Sequence, residues 1–168
     1  MATTAAARSW GGHIHTHCAE AEIEVVMNLE ERGLRHVAWL DSLGVLGPDV
    51  QLAHSVWLDE TEIQLIAERG ASVVHCPVSN MYLASGIAPI RALLDHGVNV
   101  ALATDGAGSN NRQDMFETCS FVIEELSDDR TTEVCMLMVP EQKVHSAWVL
   151  IAQRPRFAEH SSGIAFIK

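Results

Sequence analysis

Aromatic side chains are scarce: 5% of 168 residues, with a single tyrosine. The core must therefore be built from Leu, Ile, Val, Ala and Met. The supply is sufficient, because 48% of residues are hydrophobic and the length suits one domain. Basic residues are also few, 11 Lys and Arg against 22 Asp and Glu, for a formal net charge of −11. That balance excludes a nucleic-acid-binding face and disfavours anionic membrane surfaces. No apolar run approaches the roughly 20 residues that span a bilayer. The opening MATTAAARSWGG lacks the apolar centre of a secretory signal. The four cysteines, Cys18, Cys76, Cys119 and Cys135, form no CxxC pair. This argues against a zinc knuckle and predicts reduced thiols in the cytoplasm. HExxH, GxSxG and Walker A motifs are missing. So is the P-C-x-x-C of the small zinc nucleobase-deaminase fold, since Cys76 precedes Pro77 and no CxxC follows.

What is present is a repeated pattern: a short apolar run, a polar residue, a loop and an amphipathic helix. The first unit is HIHTHCAE followed by AEIEVVMNLEERG, in which Ile23, Val26 and Met27 fall at helical spacing and Gly33 fits a stop. A further short helix is expected within 34–43. The second unit is VQLAHSVW and DETEIQLIAERG, where Asp59 and Glu62 have the spacing of a capping box and Gly70 ends the helix. The third is ASVVHCPVSN, a loop and PIRALLDHG; the fourth is VNVALATDG, the loop AGSNNRQ and DMFETCSFVIEEL. Nearly continuous apolar strands between helices predict a parallel sheet in an α/β fold, either a barrel or a doubly wound sheet. Residues 1–12 read as a flexible lead-in and 13–126 as the patterned unit. Residues 127–168 form a tail outside the pattern, with VCMLMV and HSAWVLIA as candidate short elements.

Each apolar run ends in a residue suited to metal or acid–base work: His17 and Glu20, then His54, then His75, then Asp105. In α/β barrels such strand ends converge on one site. His13, His15 and His17 alternate, so they share one face of a strand. Glu20 reads either as a first-turn acid favoured by the helix dipole or as a proton carrier. His54 alone reads equally as a core histidine. Asp105, closing a buried strand before Gly106, is costly to desolvate unless paired or metal-bound, though Asp-Gly is also a turn signal. Pro77 ends the third strand, and Ser79 and Asn80 offer hydrogen-bonding groups in the segment that follows, either as a turn or against a polar ligand.

Taken together, HTHCAE, LAHSVWLDETEI, HCPVSNMYLASGIAPIRALLDHGV and ALATDGAGSNNRQDMFE resemble the amidohydrolase superfamily over about residues 14–117. The nearest branch holds S-adenosylhomocysteine/5′-methylthioadenosine deaminases, 8-oxoguanine deaminases and triazine hydrolases. The resemblance implies a partial, truncated TIM-like (β/α)8 barrel, strands five to eight with their helices. It implies His17 and Asp105 as ligands of one divalent metal, zinc ahead of iron, with His15 behind them. It implies Glu20, His54 and Asp105 as catalytic groups: a proton carrier to a ring nitrogen, a polarising group beside the attacked carbon, and the base that takes the water's proton. Ser79, Asn80 and Trp57 are expected against the substrate, a small nitrogen heterocycle that loses ammonia or halide. The family's two further ligands, an H-x-H on the first barrel strand, have no counterpart upstream of His13. The expectation is therefore a fragment with two unpaired sheet edges, completed by an N-terminal half or by a homo-oligomer, or else a catalytically inactive remnant that binds metal weakly. A doubly wound binding module is the competing fold.

Overall fold

The computed structural model describes residues 2–125, 132–137, 148–153 and 165–166, and side chains as far as residue 122. The elements run α1 (Ala2–Ser9), β1 (Ile14–Cys18), α2 (Glu22–Arg32), α3 (His36–Ser42), β2 (Val50–His54), α4 (Glu60–Arg69) and β3 (Ser72–His75). They continue α5 (Pro77–Tyr82), α6 (Ile90–Asp95), β4 (Asn99–Leu102), α7 (Met115–Glu125), β5 (Thr132–Leu137), β6 (Trp148–Gln153) and β7 (Ala165–Phe166).

β1 to β4 are parallel neighbours in sequence order, as strand–helix repetition demands. Their register places Cys18 beside His54 and His17 beside Ala53 beside Val74 beside Ala101. Side chains alternate across a strand. One row, containing Val50, Leu52, Val73, Val100 and Leu102, packs under Val25, Val37, Leu40, Ile63, Ile66, Leu93 and Val122 of the helices. Each such aliphatic side chain contributes about 1.5–3 kcal/mol on burial. The opposite row carries His15, His17, Ala53 and Val74 and faces a pocket of about 910 Å³. Among the described residues, α2, α3, α4, α6 and Val122 of α7 pack on the first face, and the start of α7 borders the pocket on the second.

The helix ends follow their sequence signals. Asp59 accepts from the Glu62 backbone while the Glu62 side chain accepts from the Asp59 backbone. Gly33 and Gly70 close α2 and α4 in the left-handed conformation.

Four expectations change. Residues 2–9 are helical, and Arg8 of α1 binds Asp49 at 2.7 Å and the carbonyls of Gly44 and Val45, so this segment is not a structureless lead-in. On α2 the stripe Ile23, Val26 and Met27 is exposed, and the core side is Val25 with Asn28, whose amide donates to the Leu34 carbonyl. The HCPVSN segment turns directly into α5, with Pro77 at its first position, so Ser79 and Asn80 sit on a helix. The β4 edge is not open: β6 pairs with it antiparallel, Val100 opposite Ile151, followed by β5 and β7. β5 and β6 overlap VCMLMV at 134–137 and HSAWVLIA at 148–152, the rest of both segments lying outside the described residues, and β1 has only β2 as a neighbour among the described residues.

Candidate functional site

Three strand ends carry the site, and each bends sharply. Ala19 follows β1 with φ 47°, His54 ends β2 with φ 66°, and Asp105 follows β4 with φ 63°. Non-glycine residues rarely adopt this region, and it is found where a fold over-determines a functional geometry. The determinants are visible. The Ala19 N–H donates to His36 Nδ1 at 3.0 Å, and the Ala19 carbonyl accepts from Val56 at 3.0 Å and Trp57 at 2.9 Å. The loops after β1 and β2 are therefore clipped together, which brings Glu20 against His54. Glu24 takes the N–H groups of Glu20 and Ala21, leaving the Glu20 carboxylate directed elsewhere. Its Oε2 lies 3.6 Å from His54 Nε2, and its Oε1 accepts from Ser85 at 3.4 Å.

His17, His54 and Asp105 each offer a ligand atom, all within 4.8 Å of one another. The imidazoles of His17 and His54 stack, with centroids 5.1 Å apart and planes 13° from parallel. Asp105 Oδ2 accepts from Ser79 Oγ and Ser109 Oγ, each at 2.6 Å. Burial pushes the Asp105 carboxyl up, but the hydroxyls of Ser109 and Ser79 and the backbone of Gly106 outweigh it and hold the group below the usual carboxylate range. Two imidazole nitrogens and an anionic carboxylate are a donor set that suits zinc or iron. The residues present thus fit a divalent ion. Burial pushes the Cys76 thiol, on the pocket wall, up to about 12, so it is no nucleophile at neutral pH.

The strand-end reading thus places His17, Glu20, His54 and Asp105 together, while His75, buried, is outside the cluster. Of the three residues expected against the substrate, Ser79 and Asn80 adjoin the cluster itself. Ser79 is fully buried on Asp105, and Asn80, 1% exposed, has its Oδ1 2.8 Å from His54 Nδ1. Trp57 donates its indole N–H to the Ser85 carbonyl at 2.7 Å and is not part of the pocket wall. That wall includes His15, Thr104, Arg112, Gln113 and Phe116. Ser109, Ser85 and His36 were not singled out from the sequence. Ser109 had a weak local signal, four residues after Asp105; Ser85 and His36 had none.

Residues 1–136 match the model of the amidohydrolase family. The chain is 50% identical over 111 residues to a 5′-deoxyadenosine deaminase of Methanopyrus kandleri, covering 66% of this chain and 26% of that protein. It is 52% identical over 110 residues to a 5-methylthioadenosine/S-adenosylhomocysteine deaminase of Nitratidesulfovibrio vulgaris, covering 66% and 25%. Among solved structures, a zinc-bound adenosine deaminase from Xanthomonas campestris superposes with a TM-score of 0.68 at 41% identity, over 74% of this chain and 29% of that one. The atrazine chlorohydrolase of Arthrobacter aurescens TC1 complexed with zinc gives 0.62 at 29% identity, over 66% and 24%. The chain spans about a quarter of the length of the curated relatives it matches. With a family match that reaches from the first helix into β5, and with parallel strands delivering His17, His54 and Asp105 to one point, this chain belongs to the amidohydrolase family.

Proposed function

We propose that this chain carries the strand-five to strand-eight side of a barrel for metal-dependent hydrolytic deamination of an amino-substituted nitrogen heterocycle, a purine nucleoside being the preferred class. The observation that carries the reading is the convergence of His17, His54 and Asp105 within 4.8 Å, beside Glu20. The deaminase names of the relatives favour ammonia over halide as the leaving group.

His17 and Asp105 would hold one divalent ion, zinc ahead of iron, given the zinc in the neighbouring structures. A bound ion of this kind supplies Lewis acidity that lowers the pKa of water toward neutrality. The remaining work falls to the chain. Asp105, kept anionic and oriented by two hydroxyls, accepts a proton from the attacking water. Glu20 delivers a proton to the adjacent ring nitrogen as a carbon–oxygen bond forms at the amino-bearing carbon. His54, beside Glu20 and Asp105, orients the attacking water against that carbon. The carbon–nitrogen bond then breaks as the new hydroxyl becomes a carbonyl: its proton returns to Glu20, and the amino group leaves as ammonia with the proton held by Asp105. General acid–base help of this kind contributes about 10²–10⁴-fold.

That β1 has no second neighbour among the described residues supports completion by further barrel strands or by a second copy of the chain. The quarter-length match favours a second reading, in which the chain alone binds metal weakly and does not turn over. Zinc titration of the purified chain beside a His17→Ala/Asp105→Ala variant separates the readings. Tight binding near one ion per chain, lost in the variant, followed by ammonia release from adenosine-type nucleosides, is the expected result. Equal binding by both proteins would overturn the metal assignment. Tight binding without ammonia from any amino-purine would overturn the deaminase assignment.

A further inference from the structure

We infer that Asn80 is a positioning residue that fixes His54 in its Nδ1–H tautomer and so presents the His54 Nε2 lone pair to the centre formed by His17, Asp105 and Glu20. The inference rests on the functional reading above only for the meaning of that centre. The tautomer itself follows from contacts.

His54 is 1% exposed, so its ring nitrogens must be matched by protein groups rather than by bulk water. Nδ1 meets Asn80 Oδ1 at 2.8 Å. A carbonyl oxygen only accepts, so Nδ1 carries the proton. Nε2 faces the Glu20 carboxylate at 3.6 Å, and His54 is one of the three residues of the donor cluster; with Nδ1 taken by Asn80, Nε2 is the nitrogen left for that cluster. Offering its lone pair, or donating to the carboxylate from an imidazolium, requires Nδ1–H; donating from a neutral ring requires the proton on Nε2 and an acceptor Nδ1. Only the Nε2–H neutral tautomer would call for a turned Asn80 amide, and that state withdraws the lone pair from the cluster.

Asn80 is built to hold this position. Its own backbone N–H donates to the Cys76 carbonyl at 2.9 Å and its carbonyl accepts from Ser85 at 2.8 Å, so both ends of the residue are fixed. Its side chain is 1% exposed and its amide nitrogen has no partner among the described residues, so the bond to His54 is the polar contact that justifies burying the group. The neighbouring Ser79 spends its hydroxyl on Asp105. Two consecutive residues of α5 therefore orient two groups of the centre, one on each flanking strand. A second group that sets the tautomer of a site histidine is a recurring device, because a ring free to exchange tautomers spends part of its time with the wrong nitrogen exposed.

The test is the ¹⁵N and ¹³C spectrum of histidine-labelled, metal-free chain at mildly alkaline pH, with the His54 signals assigned by loss in His54→Gln. The expected wild-type result is a protonated Nδ1 and a lone-pair Nε2. In Asn80→Leu, which keeps a side chain of similar shape and removes the acceptor, and in Asn80→Ala, the population should move to the Nε2–H form that a free histidine side chain prefers. Asn80→Asp, which keeps an acceptor oxygen, should retain the wild-type tautomer. An Nε2–H His54 in the wild type overturns the inference, whether or not any variant folds, and so does an unchanged tautomer in Asn80→Leu or Asn80→Ala. None of these readouts depends on metal binding or turnover, so the proposed activity can fail while this assignment stands, and the reverse.

Discussion

The hydroxyl of Ser79 donates to Asp105 Oδ2 at 2.6 Å, tying the helix that follows β3 to the end of β4. Ser109 does the same from the other side at the same distance. Hydrogen bonds to a charged acceptor are stronger than neutral ones and orient the carboxylate. Replacing both serines by alanine should weaken zinc binding about 10–100-fold, the usual effect of losing groups that orient a ligand. Competition against a chromophoric chelator measures this, and an affinity unchanged in the double variant would show that the hydroxyls do not prepare Asp105 for an ion.

His36 makes a prediction about pH. Burial lowers its pKa below the ordinary 6.5, against the upward pull of Glu24 and Glu62, and its Nδ1 must stay unprotonated to accept from Ala19. Because the folded-state value is depressed, protons bind preferentially to the unfolded chain. The stability contributed by neutral His36 is therefore complete above 6.5 and is lost as pH falls through that value toward the folded pKa. Denaturation midpoints measured from about pH 7.5 to 5.5 should decline. His36→Asn, which offers an oxygen where Nδ1 stood, should flatten that decline, and an equal slope in the variant would rule out His36 as its source.

Glu62 is 2% exposed, yet its carboxylate accepts from Val37 N–H at 2.9 Å and Arg35 Nε at 2.8 Å and closes the cap with Asp59. One side chain thus joins the starts of α3 and α4. Glu62→Ala should cost about 2–3 kcal/mol, since charged hydrogen bonds are lost and a buried N–H is left bare. Asp59→Ala should cost only about 1 kcal/mol, the value of a cap. Urea unfolding compares the two, and a smaller loss for Glu62 than for Asp59 would contradict the ranking.

Trp57 acts on the loop that carries Ser85. Gly86, at φ 121°, lies so close that an added Cβ would stand 3.0 Å from Val56 Cγ1. Trp57→Phe keeps the ring and removes the 2.7 Å bond to the Ser85 carbonyl. Amide exchange over 83–88 should rise about tenfold, equivalent to roughly 1.4 kcal/mol of local opening. Gly86→Ala should loosen the same segment through strain. Unchanged protection in Trp57→Phe would assign the indole a packing role alone.

What the sequence determined by itself was local or periodic. The capping box of Asp59 and Glu62, the stops at Gly33 and Gly70, and the four strand ends at His17, His54, His75 and Asp105 are all read within a few residues, because hydrogen-bond closure of a helix end and the rise of a strand are short-range physics. The parallel order of β1 to β4 followed, since strand–helix repetition permits little else. The direction of α2 was not readable: both of its sides carry apolar residues, and only packing against α3 and the common core chose Val25 over Ile23 and Met27. Nor was the capping of the β4 edge by β6, because strand partnership depends on which edges remain free. The partners of the reactive groups were equally hidden. Asn80 is 26 residues from His54, and Ser79 is 26 from Asp105. Those pairings belong to the sheet, which sets adjacent strand ends side by side and so decides which buried donor each acceptor will meet.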